Sequence, residues 1–147
     1  MNILVLNGPN LNLLGQREPG IYGDRNYAAL VSMIEEKAKA LGVGVEVKQT
    51  NWEGQLVDWI QQAYGKFDGI VINPAAYTHT SIAILDALKA VSIPAVEVHI
   101  SDVDAREPFR QISYAGLACC KTIKGHGLQG YVEAIEYLDQ LLNHIIA

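Results

Sequence analysis

The sequence predicts one α/β domain built on a doubly wound, five-stranded parallel sheet. Short unbroken apolar runs rich in β-branched residues alternate with segments of helical period along the whole chain. No internal repeat or linker interrupts that alternation, so a single domain is expected over residues 1–147.

The first run, Ile3-Leu4-Val5-Leu6, is uniformly apolar and stops at Asn7, as a strand buried on both faces would. Gly8-Pro9 ends it, and no helical period resumes until Tyr27. Strand-to-helix joins usually take about 2–6 residues. The longer segment at about 8–25 therefore reads as a lid, with Gly15, Gly20 and Gly23 as hinges. Tyr27, Leu30, Val31, Ile34, Ala38 and Leu41 then share a helical face, and Gly42 ends the helix. Val43 to Val47 alternates as a second strand, followed by a helix from about Glu53 to Tyr64. Gly69 to Asn73 is a third strand, stopped by Pro74. A helix on Ile82, Leu85, Leu88 and Val91 follows, capped by Thr80 or Thr78. Ala95 to Ile100 is the fourth strand, Cys119 to Ile123 the fifth, and the last helix runs from about Leu128 to Ile145. Five such strands suggest the flavodoxin-like order 2-1-3-4-5.

Composition narrows the function. The net charge of −5 argues against a nucleic-acid partner. It also requires local cations wherever an anionic ligand is held. No apolar run approaches the ~20 residues that span a bilayer, and the start has no basic leader. A soluble cytoplasmic protein without membrane contact is expected. Cys119 and Cys120 are adjacent, so they point to opposite faces of a strand and read as buried packing residues. No zinc spacing exists, and no metal site is expected.

Ligands of doubly wound sheets bind beyond the carboxyl ends of the strands, at the switch between the first and third. That rule selects Asn7 to Tyr22, Asn73 to Thr80 and His99 to Arg110, which hold most of the unusual polar residues. His99 ends a strand with Glu97 two residues before it on the same face, an acid or base oriented by a carboxylate. The alternative is a surface histidine beside a surface acid, which an internal strand makes hard to place. Asn73 to Ser81, including His79, leads into a helix N-terminus and either suits an anionic or hydroxylated ligand or is an ordinary capped turn. Arg106 and Arg110 lie four apart and on a helical turn would share a face. They could grip a carboxylate or be a solvated pair beside Asp104 and Glu107. Gly125-His126-Gly127-Leu128-Gln129-Gly130 matches a dinucleotide fingerprint, but no further strand completes the unit. A tight final turn explains it better. A receiver module of the same fold class would need acidic side chains where Asn7 and Asn73 stand.

Several motifs in order resemble the type II 3-dehydroquinate dehydratase family. They are Asn7-Gly8-Pro9-Asn10-Leu11-Asn12, Arg17-Glu18-Pro19, Tyr22-Gly23, Asn73 to Ser81, Glu97-Val98-His99-Ile100-Ser101 and Arg106-Glu107-Pro108-Phe109-Arg110. The resemblance implies a hydro-lyase that converts 3-dehydroquinate to 3-dehydroshikimate in the shikimate pathway, through an enolate. It implies no cofactor and a homododecamer of four trimers. Tyr22 would be the base and Arg17 would hold it ionised, while Asn10 supports the enolate. His99 would protonate the departing hydroxyl, oriented by Glu97. Asn73, His79, Asp86 and Arg110 would bind the substrate hydroxyls, Asp86 near a trimer neighbour. The amides of Ile100 and Ser101 would take the carboxylate, and Arg106 would help close the lid. Asp102 stands where the family commonly has Asn, and its charge would weaken carboxylate binding unless turned away or paired. Asp104 stands where histidine is frequent.

Overall fold

Alternating side chains along the central strands point to opposite faces, and both faces are covered. The computed structural model describes residues 1–16 and 25–146, excluding the side chains of 145 and 146. Its elements are β1 (Asn2–Asn7), α1 (Tyr27–Leu41), β2 (Gly44–Gln49), α2 (Glu53–Gln62), β3 (Gly69–Asn73), α3 (Ile82–Val91), β4 (Ala95–His99), β5 (Lys121–Lys124) and α4 (Gln129–Ile146). The strands pair in parallel in the expected order, β2-β1-β3-β4-β5.

Ile3, Val5, Val71, Val96 and Val98 face one side, where Leu30 and Ile34 of α1 and Ile135 and Leu138 of α4 cover them. Leu4, Leu6, Ile70, Ile72 and Ala95 face the other, under Leu56 and Ile60 of α2 and Ile84 and Leu88 of α3. Burying each such side chain contributes about 1.5–3 kcal/mol, so one polar substitution on β1 or β3 would be costly. The register places Asn7 beside both Gln49 and Asn73, so three strands end together. The edge strands carry Lys48 on β2 and the exposed Lys121 and Lys124 on β5, charges that discourage further strand pairing.

Helix ends follow local chemistry. The Asn26 side chain caps α1 by accepting from the Ala29 amide at 2.9 Å, and Gly42 closes it at φ 70°. Ser81, rather than Thr80 or Thr78, caps α3, accepting from the Ile84 amide at 3.0 Å. Thr78 turns its hydroxyl into the interior instead.

The fifth strand begins at Lys121, two residues after the expected start. Cys119 closes a 3-10 turn (Ala115–Ala118), and Cys120 reaches the neighbouring strand, donating to Ala95 O from its amide at 2.8 Å and from its thiol at 3.2 Å. Both cysteines are free; Cys119 is half-buried and Cys120 exposed, so the expectation of two buried packing residues is corrected. Burial pushes the Cys119 thiol up to about 12. The fourth strand stops at His99 and α2 at Gln62, each short of its expected end.

Gly125 and Gly127 of the fingerprint-like run form the final turn, as expected, while Gly130 already belongs to α4. Gly125 and Gly127 adopt φ +81° and +60°. The Gly125 amide donates to Ser101 O at 3.1 Å and the Gly127 amide to Ile100 O at 3.1 Å. The turn thereby fixes the chain leaving β4. The expected lid lies partly at 17–24, outside the described residues. Within the same expected segment, residues 11–13 form a 3-10 turn, with Leu11 and Leu14 buried in the core.

Gly8 sets the closest approach between two strand ends. Its amide donates to Asn73 O at 2.8 Å, and a Cβ there would stand 2.5 Å from Pro74 O, a backbone atom. Gly54, in the first turn of α2, would meet nothing within 4 Å. Gly8→Ala should therefore cost about 1–3 kcal/mol in urea denaturation. Gly54→Ala should be neutral or stabilise by up to about 1 kcal/mol. Equal effects would contradict this packing.

Candidate active site

Three loops leaving β1, β3 and β4 enclose a cavity of about 800 Å³, counted with its open mouth. Pro9, Asn10, Leu11 and Leu14 come from the first loop and Asn73, Ala75, Ala76 and His79 from the second. His99, Ile100, Ser101, Val103, Arg106 and Arg110 come from the third. These are the three segments selected by the switch-point rule.

Behind the cavity, Glu97 is completely buried and His99 is 5% exposed. Glu97 Oε2 accepts from His99 Nε2 at 2.8 Å, from Thr78 Oγ1 at 2.5 Å and from Ser113 Oγ at 2.5 Å. Oε1 accepts from Thr122 Oγ1 at 2.9 Å. Burial acts to raise the Glu97 pKa, but the bonds from His99, Ser113 and Thr78 and the His99 charge outweigh it. The carboxyl is held down at about 2. An ionised Glu97 accepts from Nε2–H, which leaves His99 Nδ1 as the ring nitrogen for the cavity.

His79 stands 6.5 Å from His99, centroid to centroid, with the rings 17° from parallel. Its Nδ1 bonds Ile112 O at 2.7 Å and must be the donor, so neutral His79 has Nε2 as its remaining acceptor. Asn10 adopts φ 71°, an uncommon conformation for a non-glycine residue. Asn51 Oδ1 accepts from its amide at 3.0 Å, and Gln49 donates both to Asn51 Oδ1 and to Gly8 O. The Asn10 side chain makes no hydrogen bond among the described residues, which leaves it available to a ligand.

Arg106 and Arg110 both line the cavity, but not from one helical turn. Arg106 is in extended conformation after the Val103–Ala105 turn, and Arg110 belongs to a second turn, Pro108–Gln111. Arg110 is held by Glu107 and lies over the Phe109 ring. Asp102 turns away from the cavity: its carboxylate caps the Val103–Ala105 turn by accepting from the Asp104 amide at 3.1 Å. Asp104 pairs with Lys124. Asp86 is exposed on α3 and does not line this cavity. Arg17 and Tyr22 lie outside the described residues.

Sequence reasoning missed Ser113, Thr122, Gln49 and Asn51. The pairing of Glu97 with Thr122 is a matter of strand register. Once β4 and β5 are adjacent, that pairing is the one signal that could have found it.

A doubly wound sheet with an imidazole–carboxylate pair and two arginines around a polar cavity defines an α/β enzyme for small molecules, built for proton transfer. The chain belongs to the class II dehydroquinase family: the family model, described as "Dehydroquinase class II", matches residues 1–139. It is 56% identical over 143 residues to the 3-dehydroquinate dehydratase of Lachnospira eligens, covering 96% of this chain and 97% of that protein. The 3-dehydroquinate dehydratase of Clostridium acetobutylicum is 50% identical over 143 residues, with 97% and 99% covered. The crystal structure of a type II dehydroquinase from Butyrivibrio crossotus superposes with a TM-score of 0.93 at 55% identity, covering 95% of this chain and 97% of that one.

The Glu97 cluster predicts an acid-sensitive stability. With the folded carboxyl near 2 and the ordinary value 4.5, the unfolded chain binds the extra proton between those values. The contribution is complete above about pH 4.5 and is lost as pH falls through about 2. Urea denaturation at pH 6 and pH 3 should show a larger loss for the unsubstituted protein than for Glu97→Gln. Equal losses would mean that Glu97 is not held ionised.

Proposed function

We propose that this protein removes water from 3-dehydroquinate to give 3-dehydroshikimate, the shikimate-pathway step, through an enolate. The observation that carries the reading is the buried Glu97–His99 pair at a cavity lined by Arg106 and Arg110, in a chain of the dehydroquinase family. Loss of water is redox-neutral and calls for a base, an acid and support for the enolate; no organic cofactor is required.

In this reading Tyr22, as phenolate, takes the proton beside the ketone, and the electron pair moves onto the ketone oxygen. Asn10 supports that oxygen. As the carbonyl re-forms, the carbon–oxygen bond to the departing hydroxyl breaks, and a proton from His99 Nδ1 makes the leaving group water. Glu97 holds the ring through Nε2. A free phenol titrates near 10, so supplying phenolate at pH 7 costs about 4 kcal/mol. Arg17 would recover much of that by lowering the phenol's pKa. Asn73, His79 and Arg110 bind the hydroxyls, the amides of Ile100 and Ser101 the carboxylate, and Arg106 joins a lid formed by about 8–25. Asp86 would serve a neighbouring subunit's site. The roles of Arg17 and Tyr22, the lid and a homododecamer of four trimers rest on the family resemblance. So does the reading of the chain as one catalytic domain. Exposed apolar side chains, Ile82 and Leu117 among them, are in keeping with subunit contacts.

A cytoplasmic location is part of this reading; the described residues include no helix long and apolar enough to cross a membrane. Mixing purified protein with 3-dehydroquinate should raise the enone absorbance of the product, and Tyr22→Phe should lower kcat by several orders of magnitude with KM changed much less. Folded protein that forms no enone would refute the reading. Near-normal kcat in Tyr22→Phe would reassign the base.

A further inference from the structure

Tyr131, at the start of α4, is completely buried, yet its hydroxyl reaches two side chains at the strand ends. It donates to Asn7 Oδ1 at 2.7 Å and accepts from Asn73 Nδ2 at 2.8 Å. Asn7 and Asn73 are register partners at the ends of β1 and β3. Only Asn73 lines the cavity.

An asparagine amide can present either oxygen or nitrogen in nearly the same space, so a neighbour must decide between them. The phenol has one proton. Given to the Asn7 oxygen, it leaves only lone pairs towards Asn73, which must then offer nitrogen. The Asn7 amide shows the matching sense, with its Nδ2 towards Tyr27 Oη at 3.5 Å. On Asn73 the Ala75 amide, which can only donate, calls for the same sense: Oδ1 accepts from it at 3.1 Å. Ala75, itself in the cavity wall, is held at φ 55°. One of the two Nδ2 protons of Asn73 is used by Tyr131. The other has no partner among the described residues. Burial pushes the Tyr131 pKa up, so the phenol keeps the proton this arrangement requires.

We propose that Tyr131 is a positioning residue for the dehydration: with the Ala75 amide on the other side, its hydroxyl holds the Asn73 amide in place so that an N–H, not the oxygen, meets a substrate hydroxyl. The inference rests on Asn73 being a substrate-binding group. A contact made to a hydroxyl that does not react is present in the bound substrate and in the transition state alike, so its loss falls on KM.

Steady-state kinetics of Tyr131→Phe, Asn73→Ala and the double variant test this, with Tm measured alongside. Tyr131→Phe should raise KM about tenfold with kcat within about threefold. The double variant should be no worse than Asn73→Ala alone, because both act through one amide. Unchanged KM in Tyr131→Phe, with only Tm lowered, would reduce Tyr131 to a packing residue, as would KM effects that multiply. If Asn73→Ala leaves KM unchanged, the reading of Asn73 fails and takes the inference with it. A KM rise in Asn73→Ala but not in Tyr131→Phe sinks the Tyr131 inference alone. A readout on the unsubstituted protein covers a variant that does not fold. By NMR, one Asn73 Nδ2 proton should exchange slowly, and the other should shift when 3-dehydroshikimate is added. Two equivalent protons, or no shift, would overturn the proposal.

Discussion

A buried carboxylate is the constraint around which this site is built. Glu97 lies on the middle of an internal strand with no exposed surface, where an uncompensated charge would cost several kcal/mol. Its oxygens are met by Thr78 from the loop after β3, His99 from β4, Ser113 from the segment before β5, and Thr122 from β5 itself. Four separate stretches must converge for the charge to be tolerated. Once they do, the imidazole at the end of β4 has one orientation. Satisfying the charge and orienting the His99 ring are here the same event.

The rest of the cavity is held by similar cross-strand ties. Gly8 binds the first loop to the end of β3, the glycine turn after β5 binds the exit of β4, and Gln49 with Asn51 supports the Asn10 turn. Asn10 and Ala75 take backbone conformations that cost of order 1–3 kcal/mol each for such residues, and both face the cavity. Local strain at a ligand-facing position, balanced by hydrogen bonds to neighbouring strands, keeps polar groups fixed before a ligand arrives. Asp102, the departure from the family pattern with the clearest electrostatic consequence, does not disturb this. Its carboxylate is turned from the cavity to cap the Val103–Ala105 turn.

Most of the fold was legible in the sequence because parallel strands buried on both faces leave unbroken apolar runs. β1, β3 and β4 are of that kind, and their ends located the site. β5 was misread for the complementary reason. It is a short edge strand with Ile123 as its single buried residue, so the apolar Cys119-Cys120 pair looked more strand-like than Lys121 to Lys124. Thr80 or Thr78 was expected to cap α3, but Glu97 takes the Thr78 hydroxyl and Ser81 is the cap. Glu97, His99 and the two arginines were visible from alternation and position. Ser113 and Thr122 were not, because their partner is set by register and loop path. Tyr131 was legible as core by its helical period, whereas the use of its hydroxyl was not.

The central claim is that Glu97 serves the reaction by holding His99, with no separate contact to the substrate. The direct measurement is a kinetic cycle of Glu97→Gln, His99→Ala and the double variant, at a pH and temperature where all three are folded. The account predicts that kcat of the double variant equals that of His99→Ala, since nothing remains for Glu97 to orient. Losses that multiply would contradict it, and would give Glu97 a role of its own in the chemistry.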